Sequence, residues 1–350
     1  MLEDLNVEHL LDIFISIDRT KADFWDTCSH FMEHLYWHKS RPTILESKIE
    51  ALADDHHSKP KCLFELSRLF GRVGNYTNRR QLLIHTLELE RQRGDDAQVA
   101  RALGYLSDVS RYLCLQKEGI QQAREALEIC ERTNDPIGQA QSLKFLAWVL
   151  TSDNQLDAAE EAAFRAIDLV PEKGQEFLIC NLHRVLGQAH RYKGEKEKAI
   201  RDYKSALEIA SPFNWHSELF WAHFSLAQLF REESEFSDAN FHLELAKSHA
   251  VHNAHRLGRA MHLQAYIWCR QSRFEAAKLE ALHALEIFEK LGVSKQVGEC
   301  RGLLQTVERA NNETAYQFLN RELLRRVQHY IDTPSSSVAH LAHRRTLFSH

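Results

Sequence analysis

The chain has 350 residues, with 44 Lys and Arg against 49 Asp and Glu for a formal charge of −5; 44% of it is apolar, and it holds only 13 glycines and 6 prolines. That composition excludes a disordered chain, and its acidity argues against wholesale nucleic-acid binding. The longest apolar run, residues 10–17, is too short to cross a bilayer and contains Asp12 and Ser16. The N-terminal MLEDLNVEH is acidic and lacks the basic region of a secretory signal. Cys28, Cys62, Cys114, Cys130, Cys180, Cys269 and Cys300 are odd in number and form no C-x-x-C pair. They read as reduced hydrophobes in a cytoplasmic protein.

Residues 1–59 are predicted as three helices (roughly 7–17, 21–37 and 42–53) that cap the first of the units described below. Within them, His30-Phe31-Met32-Glu33-His34 spells H-x-x-E-H, the ligand order of inverted zincin proteases, and His38 continues the row. A zinc-dependent hydrolase built on His30, Glu33 and His34 is the least favoured reading. The chain holds 21 histidines, the surrounding helix is rich in aromatics (Phe24, Trp25, Tyr36, Trp37), and no α/β architecture is predicted around it. No cofactor or metal is expected.

From residue 60 the sequence copies itself every 40 residues. Leu66-Ser67, Leu106-Ser107, Leu146-Ala147, Leu186-Gly187 and Leu226-Ala227 form one echo; Thr86, Ala126, Ala166, Ala206 and Ala246 form another, 20 residues later. A sixth copy, Gln264-Ala265 with Ala284, follows after 38 residues. Such a period signifies stacked units, here 60–95, 96–135, 136–174, 175–214, 215–255 and 256–294. Each unit reads as two helices. In the fourth, Phe177, Leu178, Leu182, Val185, Leu186 and Ala189 form one stripe, Lys193-Gly194-Glu195 breaks it, and Ala199, Tyr203 and Ala206 begin the next. Small residues at the echoed positions allow close helix approach, with large ones such as Phe70, Leu150, Tyr203 and Phe230 filling between. Arg79, Gln116 and Gly119 break the pattern, so the first two units should pack less well. Residues 295–331 are predicted as a final capping helical pair, and 332–350 as a disordered tail. Two other polar clusters, Lys193–Lys198 and the spaced His249, His252 and His255, read as solvated turns and helix ends.

These positions resemble the tetratricopeptide repeat, as in Leu66-Ser67…Phe70…Gly74-Asn75-Tyr76…Thr86-Leu87 and Leu186-Gly187…Gly194-Glu195…Ala199…Ala206-Leu207. The resemblance spans about residues 60 to 290, with about six residues more per unit than the common 34. It implies an all-α, right-handed α-solenoid of antiparallel helix pairs; a HEAT-type stack fits the period but not the small-residue pattern. The stretches 66–80, 155–178 and 209–232 look like the C-terminal repeats of fungal NACHT/NB-ARC signal-transduction ATPases, where repeats act as sensor and lid. The phosphate loop of such ATPases is missing: GVSKQVG, residues 292–298, lacks the Gly-Lys-Ser core.

The resemblance also implies that the first helix of each unit lines a concave face. Carried over unit by unit, 36 positions face inward, among them eleven Lys or Arg and three Asp or Glu, against the acidic whole. The central candidates are Arg111, Tyr112, Lys144, Trp148, Arg184, Gln188, Arg191, Tyr192, Trp221, Phe224 and Arg231; the wider face includes Tyr105, Asp108, Phe145 and Arg259. A basic strip interleaved with aromatics suits an acidic, partly apolar peptide segment of a protein partner. The expected role is a non-catalytic interaction scaffold or sensor. The rival is single-stranded RNA, which the same mixture can bind, although overall acidity and the lack of a base-reading pair per repeat weigh against it.

Overall fold

The computed structural model describes residues 53–54, 59–171, 173–250 and 253–332. The predicted N-terminal cap with His30, Glu33 and His34, the tail beyond residue 332, and His252 lie outside the described residues. Within them there are thirteen α-helices and no strand. Six pairs follow in order: α1 (Lys59–Arg72) and α2 (Tyr76–Arg93), α3 (Asp96–Tyr112) and α4 (Gln116–Arg132), α5 (Pro136–Ser152) and α6 (Leu156–Leu169). Then come α7 (Glu176–Lys193) and α8 (Lys196–Ala210), α9 (His216–Glu232) and α10 (Phe236–His249), and α11 (Ala254–Arg270) and α12 (Phe274–Leu291). The chain is an all-α solenoid of the tetratricopeptide type.

The turns repeat as strictly as the helices. Left-handed residues occupy 74, 114, 154, 194, 234 and 272 within the pairs, and 94, 134, 174 and 214 between them. Glycine fills only some of these slots, and Cys114, Ser234 and Ser272 carry positive φ without that freedom. Asn75, Asp95, Asp135 and Asn253 cap the helices that follow, each accepting a hydrogen bond from a backbone N–H three residues on.

Close approach at the small residues builds the core. Ala126, Ala166, Ala206, Ala246 and Ala284 are fully buried, as are Ser67, Ser107, Ala147, Ala227 and Ala265. A Cβ on Gly187 would stand 2.7 Å from the Tyr203 ring, so the absent side chain is what seats that ring. Ala206 offers no free volume, and Ala206→Phe should cost about 1–3 kcal/mol by overpacking. Chemical denaturation checks this; an unchanged midpoint would refute the unit-to-unit packing at that position.

The first two units are better filled than their sequence suggests. Val149 reaches over from α5 to within 2.9 Å of where a Gly119 Cβ would be. Arg79 is buried against Gly71 and donates to Asp108 at 3.1 Å, tying α2 to α3. The Lys193–Lys198 segment is also less idle than a solvated turn. Lys193 pairs with Asp157 and Glu160, and Lys196 with Glu235, so the segment joins three successive units. Beside it, buried His190 faces Asp202 at 2.6 Å and Glu160 at 3.2 Å.

Two larger departures concern the end of the solenoid. A single helix, α13 (Ser294–Asp332), stands where a pair was expected over 295–331. Residues 308–317 contain neither glycine nor proline, so nothing in them breaks a helix. Asn311 and Glu308 bind Glu275 and Lys278 of α12, which holds the middle of α13 against the last unit. The last unit also touches the first: Leu291, ending α12, packs against the α1 cluster of Cys62, Leu66, Phe70 and Val73. Contacts between neighbours alone would not bring these residues together.

Candidate functional site

The 40-residue period places equivalent side chains in rows across the concave face. One row reads Gly104, Lys144, Arg184, Phe224; the next, Asp108, Trp148, Gln188, Gln228; a third, Arg111, Thr151, Arg191, Arg231. Glycine at 104 is required by its neighbour, since a Cβ there would lie 2.5 Å from the Phe145 ring. Most residues of these rows line one half-open cavity of about 360 Å³ that runs from α3 to α11.

Ten of the eleven central candidates line this cavity: Arg111, Tyr112, Lys144, Trp148, Arg184, Gln188, Arg191, Tyr192, Trp221 and Phe224. Arg231 is not among its walls; it pairs with Glu232 at 2.8 Å and lies 4.9 Å from the Tyr266 ring centroid. Tyr105, Asp108, Phe145 and Arg259 of the wider face also line it. Phe177, Ser217 and Glu218 were missed. The apolar periodicity of α7 places Phe177 on its packing stripe, yet it is half exposed and meets Trp215 edge-on. The signal lay one turn upstream: Phe177 is four residues before Asn181, and Glu218 three before Trp221, on the same helix faces.

Cations and rings alternate inside. Tyr76 stacks flat on Tyr112 at 4.0 Å between centroids. The Arg111 guanidinium lies 4.0 Å from the Tyr112 centroid and 5.0 Å from that of Trp148, whose ring Arg184 also approaches at 5.6 Å. Arg259 sits near both Trp221 and Phe224, at 5.2 and 5.4 Å. Aromatic faces attract cations and hold them without neutralising them.

The cations differ in how they are balanced. Arg111 donates to Asp108 at 2.8 Å. Burial opposes ionisation of Asp108, but the fields of Arg111 and Arg79 outweigh it and hold the carboxyl below its usual range. Arg191 is buried, donates to Gln228 at 2.9 Å and lies 3.8 Å from Glu232, so it joins α7 to α9 as well as facing the cavity. Among the described residues, no carboxylate lies within ion-pair reach of Lys144, Arg184 or Arg259. Burial pushes the Lys144 ammonium below its usual value, while Tyr105 and Asp108 oppose that shift. The Nε atoms of Arg111, Arg184 and Arg191 are buried without a partner. The cavity therefore offers fixed, partly dehydrated donors to an anion, beside rings suited to apolar groups.

Histidines gather elsewhere. His223 and His242 approach at 3.1 Å, His216 and His249 at 3.2 Å, forming a row between α9 and α10. His249 thus belongs to this row and is half-buried, while His255 is buried at the start of α11. Among the described residues no group of three or more His, Cys, Asp and Glu is arranged to hold a metal ion. No helix among them is long and apolar enough to cross a membrane.

The sequence matches no protein-family model and, at significant similarity, no curated protein. Solved structures resemble it in fold. A Rap protein complexed with competence and sporulation factor superposes with a TM-score of 0.57 at 13% identity, covering 88% of this chain and 91% of that one. The signal-transduction ATPase PH0952 from Pyrococcus horikoshii, which carries a tetratricopeptide repeat sensor, gives 0.49 at 15% identity over 88% of this chain and half of that one.

Proposed function

We propose that this chain is a non-catalytic protein-interaction module whose concave groove receives an acidic, partly apolar segment of a protein partner. The observation that carries this reading is the set of three cations, Lys144, Arg184 and Arg259, that hold no ion pair among the described residues and face one ring-lined cavity, whose own carboxylates are Asp108 and Glu218, in a chain that is acidic overall. Carboxylates supply the missing charge, and Trp148, Trp221 and Phe224 give neighbouring apolar side chains a surface. Electrostatic complementarity of this kind steers association and rejects basic sequences. The Rap protein of the same fold was solved with a bound factor, which fits the use of this architecture for recognition.

The test is a fluorescence-anisotropy titration of the full chain with three probes of equal length. One peptide alternates Glu with Phe, one alternates Lys with Phe, and the third probe is single-stranded RNA. The acidic peptide should bind, crosslink to α5, α7 and α9, and weaken with salt, because charges near the rim are screened over about 8–10 Å at physiological ionic strength. Crosslinks confined to α6, α8 and α10 would refute the groove. Tighter binding of RNA than of the acidic peptide would replace this reading with nucleic-acid recognition.

A further inference from the structure

The first and last units of the solenoid meet. Leu291 packs against the α1 cluster and also against the cluster of Phe288 and Val293 in the last unit and Cys300 on α13. A Cβ on Gly74, in the α1–α2 turn, would stand 2.6 Å from His255 Nε2 and 3.2 Å from Val293 Cγ1. The turn is thus pressed onto the first residues of α11 and onto the turn after α12. Tyr76, just beyond it, stacks on cavity-lining Tyr112 and feels the charge of Arg259 from the opposite wall.

The cavity, about 360 Å³ and half open to solvent, falls at the small end of ligand pockets, room for only a few residues of peptide. A segment that reaches from Tyr112 on α3 to Phe224 on α9 needs more. We propose that the seam between the first and last units is the gate of the groove, parting to admit a segment and closing around it. What the gate admits rests on the acidic-segment reading; the seam and its parting do not.

The seam is built to respond to acid. His255 is 2% exposed, and its Nε2 has no hydrogen-bond partner among the described residues. Burial, with Arg259 and Arg256 of its own helix, pushes the imidazole down to about 3. Among the described residues, no carboxylate acts on the ring: α12 presents Phe288, and the two turns present Gly74 and Val293. Parting the seam returns the ring to water and to its ordinary value near 6.5, so protonation favours the parted form. Closure is intact above that value and weakens as pH falls below it, by about tenfold per pH unit and roughly 30-fold at pH 5.

Small-angle scattering of the full chain at pH 7.5 and 5.0 tests this without any ligand. The native protein should expand at pH 5.0, and His255→Phe should remain closed at both. A second measurement uses Val73→Cys with Leu291→Cys, both in the apolar cluster that joins the two ends, and the fluorescein-labelled Glu-Phe peptide. Its association should be at least tenfold slower in the oxidised protein than in the same protein after reduction. Equal dimensions at both pH values together with equal association rates would overturn the gate. A native chain that expands at pH 5.0 yet binds no acidic peptide would support the gate and reject the acidic-segment reading.

Discussion

A chain carrying Lys144→Glu and Arg184→Glu should bind an acidic, aromatic-containing peptide at least about 100-fold more weakly than the native chain. Central, desolvated anchors each contribute about 2 kcal/mol or more, and about 1.4 kcal/mol is a factor of ten. The two side chains face the same cavity, so their effects will not simply add, and 100-fold is the lower bound. Neither cation holds an ion pair in the described structure, which makes them cleaner probes than Arg191. Reversing Arg191 would strip Gln228 and Glu232 of their link to α7 and would strike the fold together with the site. Calorimetric titration of both variants, with circular dichroism to verify helicity, checks the result. Undiminished affinity at native helicity would remove Lys144 and Arg184 from the site.

Tyr203→Ala should produce the largest loss of stability, about 3–5 kcal/mol, by analogy with truncation of other buried rings. Tyr203 is fully buried, fills the space opposite Gly187, and packs with Leu226 and Leu229 of the next unit. Its removal leaves a cavity at the junction of the fourth and fifth units, beneath the centre of the groove. Urea denaturation should show a lowered midpoint, and binding should weaken because Tyr203 lies beside Arg184, Arg191 and Ser225 of the cavity. A midpoint within 1 kcal/mol of native would mean that the junction collapses to fill the void.

The repeat was legible because its packing demands small residues at fixed intervals, and Ser67, Ser107, Ala147, Gly187 and Ala227 carry that demand openly. The left-handed turns were only half visible. Gly74 and Gly194 announce them, whereas Cys114 and Ser234 adopt the same conformation under pressure from the helices they join. The central candidates were readable because their rows follow from the period once one helix face is assigned. Phe177 and Glu218 were not, because each sits one turn before the face was taken to begin, and an aromatic on an apolar stripe gives no sign of which way it points. The continuity of α13 was also hidden. Its polar middle reads as a break, yet Asn311 and Glu308 spend that polarity on α12. No local pattern announces contact between residues as distant as Gly74 and Val293.

That contact alters how cooperative the molecule is. In an open stack of repeats each end frays independently, and stability is a sum of unit and neighbour terms. When Leu291 completes the hydrophobic cluster of α1, the two ends no longer fray as separate events, since losing either exposes the other. The contact spans more than 200 residues of sequence, so its loop-closure entropy is met late in folding, after the local pairs have formed. Inserting or deleting a single unit, a change that open solenoids tolerate, would here throw the ends out of register. The number of repeats is thereby fixed by geometry as firmly as the sequence within each of them.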